Sequence, residues 1–114
     1  MTHRKRKDRE DKAGPLKLVL KADTVGTLEA AAEHLRGLDP TGEELVLIEQ
    51  GVGPVTQSDI NMALTGDRLV VGLFVEAQHR VELFAREHGV EVRLYDVIYR
   101  IGRDLEAILA ARRP

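Results

Sequence analysis

Segments that predict β-strands alternate with segments that predict α-helices four times along the chain. Residues 16–22 and 69–75 are apolar over nearly their whole length, which is typical of strands buried on both faces of a sheet. Residues 45–48 predict another buried strand, and the charged and apolar alternation of residues 91–95 predicts an edge strand. Because such alternation calls for right-handed crossovers, the sequence predicts an α/β fold, a three-layer α/β/α sandwich with a four-stranded parallel sheet. The two most apolar strands belong at the centre, so the predicted order is 2-1-3-4.

The first two helices are predicted from apolar residues spaced three and four positions apart and from the residues at their ends. Asp23 or Thr24 is placed to cap the start of the first helix, and Gly37 is placed to end it. Thr56 is the predicted N-cap of the second helix, with Asp59 three positions later in the manner of a capping box. Capping therefore explains the start of both helices without a bound ligand.

The last two helices follow the third and fourth strands. The third helix is predicted from Ala77, Val81, Phe84, Ala85 and His88, and Gly89 follows where a left-handed C-cap is expected. The last helix has one continuous apolar stripe, formed by Ile98, Ile101, Leu105, Ile108 and Leu109. This stripe predicts a helix that lies with one face against the sheet.

The length and composition fit one domain with an aliphatic core, since 43% of the 114 residues are hydrophobic and only 4% are aromatic. We predict a single α/β domain over residues 15–112. Residues 1–14 hold six Lys and Arg against three Asp and Glu, and this basic leader is predicted to be disordered. Weak contact of the leader with RNA phosphates is an alternative interpretation of the same charges.

Cysteine and long apolar runs are both missing from the sequence. The lack of cysteine excludes disulfides, a thiol nucleophile and thiolate metal ligands. No apolar run approaches the roughly 20 residues of a membrane span, and the N-terminus lacks the apolar stretch of a signal peptide. The sequence therefore predicts a cytoplasmic protein without a membrane partner.

Two glycine-bearing segments, residues 23–27 and 51–59, follow the first two strands. In a parallel sheet, ligands bind at the carboxyl ends of the strands where the winding reverses, which here lies between residues 23–27 and 74–76. Glycine or hydroxyl groups at a helix start can admit an anion, although helix entry and capping explain the same residues. The candidate residues of this ligand or partner loop are Asp23, Thr24, Gly26, Thr27, Gly53, Thr56, Ser58 and Asp59.

Motifs for catalysis, metal binding and nucleotide binding are not found. The phosphate-binding loop needs Gly-Lys-Ser or Gly-Lys-Thr, and neither occurs, so no GTP binding by this chain alone is expected. The histidines lack the i, i+4 pairing of a helical zinc site, and no partner for a nucleophilic triad can be assigned to them. They are His3, His34, His79 and His88. The sequence therefore predicts a protein that is not an enzyme and that has no catalytic residue, metal or cofactor.

Three stretches carry a family pattern: residues 18–30, 51–60 and 89–99. They contain a strand followed by Lys-Ala-Asp and Glu-Ala, a Gly-Val-Gly loop with Ser-Asp, and an Arg-Leu-Tyr strand with an Ile-Tyr helix entry. Together they resemble the third domain of bacterial translation initiation factor 2, the GTPase that helps to place initiator tRNA on the ribosome. The order and spacing agree over residues 16 to 109. The resemblance implies a four-stranded α/β/α sandwich, either isolated or as a short stand-alone relative.

Four positions depart from the family pattern. Thr27 stands for the usual Ser, and Gln57 stands for Glu. Phe74 stands where the family tends to have Asn after the third strand, and Asp96 replaces a typically basic residue. A carboxylate at the last position would weaken any contact with ribosomal RNA that the basic residue makes in the family.

The resemblance implies a non-catalytic structural or spacer domain that faces the small ribosomal subunit. GTP hydrolysis and formylmethionyl-tRNA binding belong to domains of the factor that this sequence does not contain, so neither activity is expected of it. The residues leave two alternatives open. One is a small-ligand or nucleotide-binding regulatory module that uses the crevice at the carboxyl ends of the strands. The other is an RNA-binding accessory protein that uses the leader with Arg112 and Arg113.

Overall fold

Strands and helices alternate four times in the computed structural model, which describes residues 14–114. The elements are β1 (Leu16–Ala22), α1 (Val25–Gly37), β2 (Leu45–Val52), α2 (Gln57–Ala63), β3 (Leu69–Leu73), α3 (Val81–Glu87), β4 (Glu91–Tyr95) and α4 (Ile98–Arg112). All strand pairs are parallel, and their order is β2-β1-β3-β4. The predicted α/β class and strand order are therefore confirmed. The disordered leader, predicted over residues 1–14, lies outside the described residues except for Gly14, and the domain boundaries stay a prediction.

The core consists of two apolar layers, one on each face of the sheet. Successive residues of a strand point to opposite faces, so Leu18 and Leu20 of β1 pack with α1 and α4. Val19 of β1 and Val70 of β3 pack with α2 and α3 on the other face. Burial of each such side chain contributes about 1.5–3 kcal/mol. The two central strands are buried on both sides, which is the physical basis of their continuous apolar character.

The outer strands are only partly covered. No residue of β2 is fully buried and Val46 is exposed, so the prediction of a buried strand over residues 45–48 is wrong. The strand lies at the margin of the sheet and pairs with β1 alone, which leaves its outer side open to solvent. The predicted edge position of β4 is confirmed, since it pairs with β3 only.

Side chains cap the starts of α1 and α2. The Thr24 hydroxyl accepts a hydrogen bond from the N–H of Thr27, so Thr24 and not Asp23 is the cap of α1. The capping box predicted for Thr56 and Asp59 is confirmed at α2. The prediction that Gly37 ends α1 as a cap is corrected, because it is the last helical residue and lacks a positive φ.

The third helix is shorter than its apolar pattern predicts. Ala77 forms a parallel bridge with Val55 and lies outside the helix, which begins at Val81 after Arg80 in a left-handed conformation (φ 66°). The apolar character of Ala77 is therefore explained by packing in a loop, and its place in the predicted helix is wrong. The left-handed turn predicted at Gly89 is confirmed by its φ of 69°.

Candidate functional site

An open crevice lies at the carboxyl end of the sheet, with a volume of about 820 Å³. Here β1 connects outward to β2 on one side while β3 connects to β4 on the other, so the winding reverses between the central strands. This is the position that the sequence predicts from residues 23–27 and 74–76. The residues that line this carboxyl crevice are Asp23, Gly53, Pro54, Phe74, Val75, Glu76, Leu94, Tyr95 and Asp96.

Phe74 is the most conspicuous apolar residue of the crevice. It directly follows β3, which ends at Leu73 and is two residues shorter than predicted. Its backbone is left-handed (φ 59°), its N–H donates to the Tyr95 carbonyl at 2.9 Å, and 52% of its surface is exposed. A bulky aromatic residue rarely adopts this conformation, which costs of the order of 1–3 kcal/mol. The hydrogen bond to Tyr95 fixes this strained residue, and its aromatic ring is exposed at the carboxyl end of the sheet.

Gly72 makes room for the floor of the crevice. A Cβ atom at this position would lie 2.7 Å from Cγ2 of Val75 and 2.9 Å from Cδ2 of Leu94. Both distances are far below van der Waals contact, so the two side chains can fold over the strand only because residue 72 has none. The glycine thereby shapes the apolar part of the lining.

The charged groups of the crevice are all acidic. Asp23, Glu76 and Asp96 are exposed, and no Lys, Arg or His is among the lining residues. The Tyr95 hydroxyl is occupied, because it donates to Oδ2 of Asp104 at 2.8 Å. Burial and this hydrogen bond raise the pKa of Tyr95, and the same bond lowers the pKa of Asp104. The crevice therefore offers carboxylates and apolar surface to a partner, without a cation for a phosphate.

The structure brings only two of the eight candidate residues into this crevice, namely Asp23 and Gly53. The N–H of Gly53 donates to the Ala22 carbonyl at 2.8 Å, which joins the two loops. Thr24, Gly26 and Thr27 lie at the start of α1 instead, where the hydroxyls of Thr24 and Thr27 are 3.0 Å apart. Capping accounts for the contacts of this helix start.

The remaining candidates, Thr56, Ser58 and Asp59, lie at the start of α2 on the opposite face of the sheet from α1. Asp59 forms a buried ion pair, since its Oδ2 is 2.9 Å from Nζ of Lys21. The Asp59 side chain is only 5% exposed and that of Lys21 only 9%. The lysine stem crosses Gly51 of β2, where a Cβ atom would lie 3.2 Å from Nζ. Local sequence patterns do not predict this ion pair, although a lysine near the end of a buried strand is a signal for it.

A second acidic residue, Glu49, is close to this buried pair. Burial alone would raise the pKa of Asp59, but hydrogen bonds involving Glu49, Lys21 and the Thr56 N–H bring it below its ordinary value. The hydrogen bond with Asp59 and burial raise the pKa of Glu49. The aspartate carries the charge that pairs with the lysine, and the pKa of Glu49 is displaced in the opposite direction from that of Asp59.

Arg112 and Arg113, which one alternative assigns to RNA, are occupied at the amino end of the sheet. Two nitrogens of Arg113 donate to the two carboxylate oxygens of Glu44 at 2.6 and 2.8 Å. Arg112 donates to the Gly14 carbonyl at 2.8 Å and is 3.8 Å from Asp67. We call these contacts the amino-end clamp. They satisfy the guanidinium groups within the fold, which weakens the case for phosphate binding by these residues.

Residues 14–114 hold neither a metal-binding cluster nor a membrane-spanning helix. In that range no group of three or more His, Cys, Asp or Glu side chains is arranged to hold a metal ion. None of its helices combines the length and apolar character required to cross a bilayer.

The sheet order, the two helix layers and the crevice at the winding reversal define the class of the protein as an α/β/α sandwich domain. The family model for translation-initiation factor 2 matches residues 1–106, so the chain belongs to the translation-initiation factor 2 family. This finding confirms the resemblance seen in the sequence.

Individual relatives agree with the family. The chain is 37% identical over 95 residues to translation initiation factor IF-2 of Nitratidesulfovibrio vulgaris, covering 83% of this chain and 9% of that protein. It is 30% identical over 104 residues to IF-2 of Desulforapulum autotrophicum, covering 91% of this chain and 10% of the relative. The chain thus spans about a tenth of the length of these curated relatives.

A solved structure shares the fold. The crystal structure of GDP-bound aIF5B from Aeropyrum pernix matches with a TM-score of 0.65 and 30% sequence identity. The match covers 84% of this chain and 16% of the aIF5B chain. The shared part is therefore a small fraction of a much larger protein.

Proposed function

We propose that the chain acts in cytoplasmic translation initiation as a non-catalytic structural domain, a rigid spacer that faces the small ribosomal subunit. Family membership supports the assignment to translation initiation. The observation that carries the spacer proposal is the amino-end clamp, because it joins the end of α4 to the residues that precede β1 and β2.

The clamp couples the last helix to the sheet. Ile101, Leu105 and Leu109 of α4 are buried against the sheet, so the helix is held along its length. Arg113, just beyond the helix, is tied to Glu44 by two hydrogen bonds and lies 3.4 Å from Glu106. A force applied at the end of α4 is therefore passed to the sheet and not absorbed by fraying of the last turn.

The contacts of the polar residues in the candidate loops support the proposal that the domain is non-catalytic. Thr24, Thr56 and Asp59 are used as helix caps, and Asp59 is also paired with Lys21. A nucleophile or general base requires a reactive group that is free to meet a substrate. These side chains are engaged in holding the fold together.

The alternative, a small-ligand or nucleotide-binding regulatory module, draws on the carboxyl crevice. Its position at the winding reversal favours a binding site of some kind. Its carboxylates oppose phosphate groups, so we expect GTP and other nucleotides to bind elsewhere than in this chain. A nucleotide at 100 times its Kd should stabilise the protein by about 2.7 kcal/mol, and a thermal-shift screen that found such a gain would favour the alternative.

Cosedimentation with purified small ribosomal subunits tests the ribosome-facing proposal. We expect the full chain to pellet with the subunits at low salt and to be partly released at higher salt, as surface electrostatics are screened. Large subunits serve as the matched control. Failure to pellet with small subunits at low salt would contradict the proposal.

Hydrogen exchange tests the spacer proposal separately. Arg113→Ala should speed amide exchange in the last turn of α4 while the exchange of β1 and β3 is unchanged, because only the clamp is lost. Arg103→Ala, on the same helix, removes an exposed contact with Asp104 and serves as the control. Equal exchange in the last turn of parent and Arg113→Ala would show that the clamp does not stiffen this helix.

A further inference from the structure

Exposed apolar side chains are concentrated at the carboxyl end of the sheet. Within residues 14–114, eight large hydrophobic residues are exposed, and five of them lie near the end of a strand, directly after it, or at the start of the helix that follows. They are Val25, Val52, Phe74, Leu94 and Tyr99. Scattered apolar residues on a surface need no explanation, but a concentration of them with polar residues at its rim is typical of a contact surface for another macromolecule.

The charge of the crevice restricts what that macromolecule can be. Asp23, Glu76 and Asp96 have no ion-pair partner among the residues that the structure describes. Carboxylates beside low-dielectric apolar walls attract cations and repel phosphates. The exposed ring of Phe74 adds to this preference, because the face of an aromatic ring attracts a guanidinium or ammonium group.

We propose that the carboxyl crevice is a docking surface for a basic segment of another protein. An Arg or Lys side chain of that segment lies across Phe74 with its aliphatic stem on the apolar floor, and its charge lies among the three carboxylates. The proposal rests on this surface alone and does not require that the domain be a spacer or that it meet the ribosome. RNA is the competing class of partner, and the acidic lining disfavours it.

Fluorescence anisotropy of the full chain with a labelled hexa-arginine peptide tests the proposal, with hexa-uridylate as the RNA probe. We expect the peptide to bind more tightly than the RNA and its affinity to fall as salt is added. Combined replacement D23N, E76Q and D96N should weaken peptide binding about tenfold, since each exposed charge contributes a small part. Phe74→Asn should weaken it about threefold through loss of the cation–π contact.

The matched control removes three carboxylates from elsewhere on the surface, with E33Q, E43Q and E87Q. An equal loss of affinity in this control would overturn the proposal, because the peptide would then be sensing net charge alone. RNA that binds more tightly than the peptide and shifts the amide signals of the crevice would overturn the proposal in favour of a nucleic-acid surface. Absence of peptide binding would overturn it outright. In NMR spectra of the complex, we expect the amide signals of Val52, Gly53 and residues 74–76 and 94–96 to shift. Shifts confined to other residues would also contradict the proposal.

Discussion

The two ends of the sheet differ in how their surface groups are satisfied. At the amino end, Arg113 is paired with Glu44, Arg112 bonds to Gly14, and the Lys17 N–H donates to a carboxylate oxygen of Asp67 at 2.7 Å. At the carboxyl end, carboxylates without ion-pair partners among residues 14–114 surround the exposed and strained Phe74. Contacts that close the fold therefore lie at the amino end of the sheet, and the surface suited to a partner lies at the carboxyl end.

The largest expected effect concerns the buried ion pair beneath the open end. Lys21→Met keeps the length of the side chain but leaves Asp59 without its cation. We expect the free energy of unfolding to fall by about 3 kcal/mol, because removal of the lysine leaves the charge of Asp59 buried without a partner. Urea denaturation measures this change. Such a loss would show that the stability of the carboxyl end of the sheet depends on this buried ion pair and not on its surface residues.

Lys17→Met is the control for that measurement. Lys17 lies on the same strand and is exposed, without a side-chain ion pair in the described part of the chain. We expect a change within about 0.5 kcal/mol, as for most surface substitutions. If both lysine variants lost the same stability, the assignment of a special contribution to the buried pair would be wrong.

A smaller loss is expected from the left-handed turn between α3 and β4, at the closed amino end. Gly89→Val places a β-branched residue at a φ of 69° and should lower the free energy of unfolding by about 1–2 kcal/mol. Gly37→Ala is the control, since this glycine is helical with open space around it and the change should stabilise by up to about 1 kcal/mol. Thermal unfolding of both variants measures the difference. An unchanged melting temperature for Gly89→Val would contradict the view that the turn requires a residue with positive φ at this position.

Most of the fold could be predicted from the sequence because local and global signals agree in this chain. Apolar strands, spaced apolar helix faces and the capping residues Thr24 and Thr56 each specify an element and its position in the sheet. The failures occurred where tertiary contacts override the local pattern. Ala77 is apolar because it bridges to Val55 and not because it belongs to a helix, and the apolar β2 lies at an edge.

The candidate site was predictable in position but not in composition. The rule of winding reversal located the crevice, and Asp23 and Phe74 line it as expected. Tyr95 and Asp96 were missed as lining residues because their place depends on how β4 is aligned with β3, which local patterns do not determine. The ion pair between Asp59 and Lys21 was not predicted either, because the two residues come from different elements and only the tertiary fold brings them together.

Phe74 provides a test in which the open end should gain stability. Phe74→Asn replaces an aromatic residue in the left-handed region by one that adopts it more readily, so the free energy of unfolding should rise by about 1 kcal/mol. Phe74→Ala also removes the ring but keeps a residue that disfavours positive φ, and it should give no gain. Chemical denaturation of the two variants separates relief of strain from loss of the ring. Destabilisation by the asparagine variant would contradict the view that this end is strained.

The smallest effect is expected from the clamp at the amino end and appears only as a dependence on pH. The hydrogen bonds from Arg113 lower the pKa of Glu44 below its ordinary value. A lowered folded-state pKa means that the carboxylate stabilises the fold at pH above the ordinary pKa of about 4.5, and that this contribution is lost as the pH falls through the lowered value. Glu44→Gln should therefore show a smaller fall in melting temperature between pH 6 and pH 3 than the parent, with Glu43→Gln, which lacks an ion pair in the described range, as the control. Identical pH profiles for parent and Glu44→Gln would mean that the amino end is closed by apolar packing of α4 and not by its ion pairs.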